Sequence, residues 1–142
     1  MFAYLWTLPN TAIGLLFVPV VSLTRGGLQV VDGVLEIHGP PVAWMLRHCV
    51  LLPGGASAMT LGHVVLGRDR HALTATRVHE RVHVRQYERW GPAFIPAYLL
   101  ASFWGLVTGA GGYYGNVFER EAMQRENAEG RIQKADFTSL CI

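Results

Sequence analysis

The chain has 142 residues, of which 51% are hydrophobic and only 15% charged, below the roughly 25% charge of an ordinary soluble domain. That length suffices for one domain with a modest core and is too short for two comfortable ones. A net charge of +2 gives no case for nucleic acid, which needs a clustered basic face, and the balance directs attention to membrane contact or a heavily buried, helix-rich fold.

Residues 1–24, MFAYLWTLPNTAIGLLFVPVVSLT, carry no charge, and Arg25 is the first basic residue. A secretory signal would start with positive charge, so export is not expected, and the chain reads as membrane-associated or cytoplasmic. The segment is long enough to cross a bilayer, although Pro9, Asn10 and Pro19 interrupt it. As a span it would put the amino terminus outside and the rest in the cytoplasm. The alternative is a hydrophobic helix packed on the domain. The expected organisation is thus an N-terminal hydrophobic helix over 1–25, one domain over 26–131 and a flexible tail over 132–142.

Residues 28–38, LQVVDGVLEIH, predict two short strands around Asp32-Gly33, a favoured pair for a tight hairpin turn. Gly39-Pro40-Pro41 ends that hairpin. Residues 42–52 are helix or strand, with Cys49 expected as a buried thiol beside Val50, Leu51 and Leu52. Cys49 and Cys141 have neither a nearby pairing partner nor a metal-ligand spacing. Pro53-Gly54-Gly55 breaks the chain, and residues 58–67, AMTLGHVVLG, predict one further strand. Asp69 is the expected N-cap of a helix from about His71 to Trp90. Residues 93–108 predict an apolar helix with Pro96 in its first turn, residues 109–115 a glycine-rich loop, and residues 116–130 a polar helix. The fold class is α+β: a hairpin and an edge strand packed on one central helix and further apolar helices.

Inside the central helix lies His79-Glu80-Arg81-Val82-His83. Two histidines four apart project from one helix face and can grip a single ion. In H-E-x-x-H the glutamate stands beside that ion, where its carboxylate can take the proton of a water attacking a carbonyl, while zinc acidifies the water and polarises the carbonyl. Val78 and Val82 are expected to anchor this face in the core, and Gln86 and Trp90 to continue it. Arg77, Arg81, Arg85 and Arg89 form a basic stripe on the same helix, read as a solvated face or as a contact for anionic lipid headgroups.

A catalytic zinc takes three protein ligands and keeps one open position. The long form of the motif would need Gly at 86 and His at 89, where this chain has Gln86 and Arg89. All six histidines lie at or before position 83, so a downstream ligand must be a carboxylate: Glu88, Glu119, Glu121, Glu126, Glu129 or Asp136. Glu119, in the first turn of the helix after the glycine loop, is the first choice and Glu121 the second. Asn116-x-x-Glu119 also spells a capping box, in which Glu119 would serve the helix terminus instead.

The ordered set H-E-R-V-H, Gln86, then E-R-E-A over residues 58–123 resembles the gluzincin class of zinc metallopeptidases, most of all its small single-domain bacterial members. It is also similar to the E-x-x-A-D run of CAAX-protease-like membrane peptidases, with Met123 standing where those have Asp. The resemblance implies a zincin-like domain that binds Zn2+ through His79, His83 and Glu119, with Glu80 as general base and a peptide or protein substrate. It also implies that residues 60–66, TLGHVVL, form the strand that pairs with extended substrate. His63 on that strand, and Tyr113 and Tyr114 in the glycine loop, are candidate oxyanion or substrate contacts. The alternative is a membrane-associated protein of the same fold whose metal is structural or absent, and a third reading is a membrane scaffold with an accidental motif.

One geometric consequence follows. If His83 and Glu119 hold one ion, residues 84–118 must return to their starting point. Thirty-five residues cannot cross a bilayer twice, since two spans need about 40 plus a turn. Residues 93–108 are therefore expected as a buried or interfacial helix, which with residues 1–24 makes the two candidate membrane contacts.

Overall fold

The computed structural model describes residues 2–50, 52 and 54–140, without the side chains of residues 2 and 132–140. Leu51, Pro53 and Cys141 lie outside the described residues. The fold is α+β, with elements in the order α1 (Phe2–Leu15), α2 (Phe17–Ser22), β1 (Gly27–Val31), β2 (Val34–His38), α3 (Pro40–His48), β3 (Ala58–Leu61), β4 (Val64–Gly67), α4 (Arg70–Trp90), a 3-10 turn (Gly91–Ala93), α5 (Phe94–Val107) and α6 (Val117–Leu140).

The hairpin forms where Asp32-Gly33 predicts it. Both residues take positive φ, 48° and 77°, as a type I′ turn requires, and Val31 pairs with Val34 across it. Residues 58–67 are not one strand. Gly62 turns the chain back at φ 64°, so β3 and β4 pair antiparallel with Leu61 opposite Val64. Only glycine adopts that angle without strain, and an apolar run masks the turn in the sequence. The sheet order is β1-β2-β4-β3, with β2 and β4 parallel. Of these two strands only β3 lies at a sheet edge, the other edge being β1. Val64, Val65 and Leu66 of β4 are buried on both faces, and His63 lies in the turn rather than on a strand.

One sheet face, with Ile37, Val64 and Leu66, packs under Val21 of α2 and Val42 and Leu46 of α3. The other, with Val34 and Val65, packs on Leu73 and Val84 of α4. The undecided segment is the helix α3; Cys49, just past its end, is exposed rather than buried because the apolar side of that helix is carried by Val42 and Leu46. Asp69 caps α4 by accepting from the Ala72 N–H at 2.7 Å.

Half of the basic stripe on α4 is neither solvated nor free for lipid. Glu36 on β2 is 2% exposed. Arg77 donates to it through Nε and Nη2 at 2.9 and 3.0 Å, and Gln29 Nε2 donates at 2.6 Å. Arg81 donates to the Val31 carbonyl at 2.6 Å. Burial opposes ionisation of Glu36, but the bonds from Arg77 and Gln29 and the charges of Arg77 and Arg81 outweigh it and hold its carboxyl below the usual range. Arg85 and Arg89 remain exposed.

Helix α1 lays its one small and polar stripe on the domain. Thr7 Oγ1 is 2.8 Å from His63 Nδ1, Asn10 Nδ2 donates to the Gly91 carbonyl at 2.9 Å, and Gly14 lies against Val64. Two helical stretches, Ala3–Ser22 and Arg70–Val107, are long and apolar enough to cross a membrane by length and composition alone. The backbone of α6 stays helical to Leu140, past the expected boundary at residue 131.

Candidate metal centre

Helices α4 and α6 pack side by side and bring residues forty apart in sequence into contact. His79, His83 and Glu119 are all buried, and one donor atom from each lies within 4.8 Å of the others. Glu119 Oε2 is 3.0 Å from His79 Nε2, Glu119 Oε1 is 3.4 Å from His83 Nε2, and the two Nε2 atoms are 3.2 Å apart. Ligands about 2.05 Å from a tetrahedral ion stand roughly 3.3 Å from one another. The two Nε2 atoms stand at about that separation, and each has a Glu119 oxygen at a similar distance, Oε2 for His79 and Oε1 for His83.

The far side of each imidazole is supported as a ligand's must be. His83 Nδ1 is 2.8 Å from Gln86 Oε1. Gln86 Nε2 donates to the Phe118 carbonyl at 3.1 Å and to Glu121 Oε2 at 2.9 Å, so its amide oxygen must face the histidine. His83 accordingly carries a proton on Nδ1, so that Nε2 is the nitrogen facing Glu119 and the one that would bind a cation in place of a proton. His79 Nδ1 is 3.4 Å from Glu126 Oε2.

The competing role for Glu119 is taken by its neighbour. Asn116 caps α6 by itself, accepting from the Phe118 N–H at 2.9 Å, while the Asn116 N–H donates to Tyr113. Glu119 is thereby released toward the histidines, and its other contact is the Tyr98 hydroxyl, which donates at 2.5 Å. Burial would raise the Glu119 carboxyl, but bonds with His79 and His83, the His83 charge and the Tyr98 hydroxyl hold it well below the usual range. Burial likewise works against charge on His83, and Glu119 and Glu80 overcome it, raising the imidazole to about 9. The pocket thus favours positive charge at this point, as a proton or as a cation.

Glu80 lies on the same helix, 6% exposed. Thr60 on the edge strand β3 donates to its Oε2 at 2.6 Å. Burial lifts its carboxyl above the usual range; His83, Thr60 and His79 act in the opposite direction. Glu121 does not compete for the centre, being held by Gln86 and lying 3.5 Å from Arg89. Glu88 pairs with His63, and Glu129 is exposed. Asp136 has no described side chain.

Of the candidate substrate contacts, only Tyr113 reaches the centre. Burial and the nearby Glu119 charge push its phenol up. Tyr114 is 73% exposed and meets Tyr113 edge to face. His63 is committed to a structural cluster: its ring stacks on Tyr4 at 4.2 Å and bonds Thr7 and Glu88. Val82 anchors the helix as expected, Val78 is half-buried, and Trp90 is 46% exposed rather than part of the buried face. The residues that sequence reasoning misses are Tyr98 and Thr60; Tyr98 sits in an apolar run where nothing marks it. Glu126, one of the carboxylates considered as a ligand, instead lies on the far side of His79, and its place seven residues after Glu119 puts both on one helix face.

The donor set of two imidazoles and one carboxylate can hold a divalent metal ion. No protein family, curated protein or solved structure matches the chain.

Proposed function

We propose that this protein is a zinc-dependent metallopeptidase of gluzincin type. The observation that carries the reading is the convergence of the buried His79, His83 and Glu119, one donor atom of each within 4.8 Å of the others, with Glu80 on the same helix. Two imidazoles and a carboxylate suit zinc among the common divalent ions and leave a fourth position for chemistry. Bound there, zinc would lower the pKa of a water and polarise the scissile carbonyl.

The chain's own residues do the rest. Thr60 holds Glu80 through Oε2, and the carboxylate accepts a proton from the water as its oxygen attacks the carbonyl carbon. The same group then returns that proton to the amine nitrogen as the carbon–nitrogen bond breaks. Tyr98 holds the Glu119 carboxylate in place, and Tyr113, whose phenol feels the Glu119 charge, is the loop tyrosine placed to assist a developing oxyanion. The edge strand β3 is the one an extended peptide would pair with. The working place belongs to the reading as well: residues 1–24 and 93–108 are its membrane contacts.

Metal content and hydrolysis of a fluorogenic peptide mixture test this together. The full chain and Glu80→Gln should each hold about one zinc, Glu119→Ala should lose it, and only the unaltered chain should cleave. Unchanged cleavage by Glu80→Gln would sink the proposed base. The burial of all three donors favours one alternative, a structural ion on an inactive protein, and retained zinc without hydrolysis is its signature.

A further inference from the structure

Between Trp90 and Phe118 there is no Asp, Glu, Lys, Arg or His, and the same holds for residues 1–24. The two uncharged stretches meet at Gly91, where Asn10 bonds the backbone and Trp6 closes on the glycine. Each puts one face on the domain. In α5 the inward face is Tyr98, Ser102 and Gly105: Tyr98 bonds Glu119, Asn116 donates to the Tyr98 carbonyl and to Ser102, and Gly105 touches the backbone of Gly111 and Gly115. The outward face is Leu99, Leu100, Phe103, Trp104, Leu106 and Val107, each at least 60% exposed. Leu5, Leu8, Ile13 and Leu16 make a comparable outer face on the N-terminal stretch. Water-soluble monomers rarely leave apolar surface of this extent uncovered.

We infer that these two outer faces dock into one leaflet of a lipid bilayer without crossing it, and that the metal centre acts on peptide segments held at that membrane surface. The second half rests on the peptidase reading. One observation argues against crossing, and two favour lipid over another protein. Fourteen residues of α5 rise about 21 Å, short of a hydrocarbon core of about 30 Å, and its inward bonds keep it on the domain. The exposed arginines Arg25, Arg89 and Arg120 bound the uncharged stretches, where anionic headgroups would meet them. Trp90, Trp104 and Tyr114 are exposed in or beside the same helix, and such rings favour the headgroup level. Because Tyr98 on the inner face of α5 bonds Glu119, the centre lies about one helix diameter, ~10 Å, from the lipid-facing side.

Flotation with phosphatidylcholine–phosphatidylglycerol vesicles tests the docking, using the full chain and a Leu100→Asp/Phe103→Asp variant that touches neither the metal donors nor their partners. The full chain should float. The double variant should partition at least about tenfold less while keeping its zinc, which separates lost docking from lost fold. Bromines near the lipid headgroup should quench fluorescence that Trp104→Phe removes, and bromines near the chain ends should quench it less. A chain that ignores vesicles, a self-associated form that leaves them alone, equal flotation of the variant, or stronger quenching by the deep bromines overturns the docking. For the substrate, an acyl-anchored fluorogenic peptide on vesicles should be cleaved at least about tenfold faster than the free peptide, and the variant should lose that advantage while cleaving the free peptide as before. Equal rates on both peptides overturn the substrate class, and flotation without any hydrolysis counts against the peptidase reading while leaving the docking intact.

Discussion

Gln86 Oε1 lies 2.8 Å from His83 Nδ1, and two donated bonds leave that amide no other orientation. The sequence position three residues after the second histidine is therefore what sets its tautomer. Gln86→Met keeps the volume and removes the acceptor. Zinc affinity, read by competition with a chromogenic chelator, should fall about 10–100-fold. Affinity unchanged within twofold would mean that His83 needs no support.

Tyr98 donates to Glu119 Oε1, a bond to a buried carboxylate. Removing it in Tyr98→Phe should lower stability by about 1.5–3 kcal/mol, the range for hydrogen bonds to charged groups, and should also weaken zinc binding because Glu119 gains freedom. Urea unfolding in the presence and absence of zinc measures both. A loss of stability with full metal affinity would reduce Tyr98 to a packing residue.

Legibility followed whether the cause was local. Asp32-Gly33, the Asp69 cap and Pro96 in a first helical turn act within a few residues, and the structure has all three where the sequence predicts them. The His79–His83 pair was readable because helix geometry alone puts both on one face. Glu119 was reachable by elimination, since no histidine follows position 83, but its choice over a capping role depended on Asn116 satisfying the helix terminus alone. The rest required the tertiary fold. Nothing local distinguishes Arg77 and Arg81, which grip Glu36 and the sheet backbone, from Arg85 and Arg89, which do not. The turn at Gly62 is hidden in an apolar run because β4 is buried on both faces, and buried strands lose the alternation that would reveal their ends.

Glu36 makes the stability of the α4–sheet junction pH-dependent. Its folded-state pKa is depressed, so its contribution is fully present above the unfolded value of about 4.3 and is lost as pH falls through the lower folded value. Glu36→Leu leaves Arg77 and Arg81 facing a buried site without a counter-charge and should cost about 3 kcal/mol at pH 7. The difference between variant and unaltered chain should shrink toward pH 3. Denaturant midpoints at pH 7, 5 and 3 give the curve, and a difference independent of pH would contradict an ionised Glu36.

Asn116 joins α5 to α6 and is fully buried. Its oxygen caps α6, while its amide donates to the Tyr98 carbonyl at 3.1 Å and to Ser102 Oγ at 2.8 Å. Asn116→Ala removes a cap and two donated bonds, about 1 kcal/mol each and about 3 in all. Asn116→Ser can keep the cap and should recover about one third of that loss. Because α5 carries Tyr98 and α6 carries Glu119, loosening their junction should also weaken zinc binding, with Ser less affected than Ala. Parallel thermal melts and chelator titrations check the ranking; if Ser and Ala lose stability equally, Glu119 rather than Asn116 would have to be capping the helix, and its freedom to ligate would fall with it.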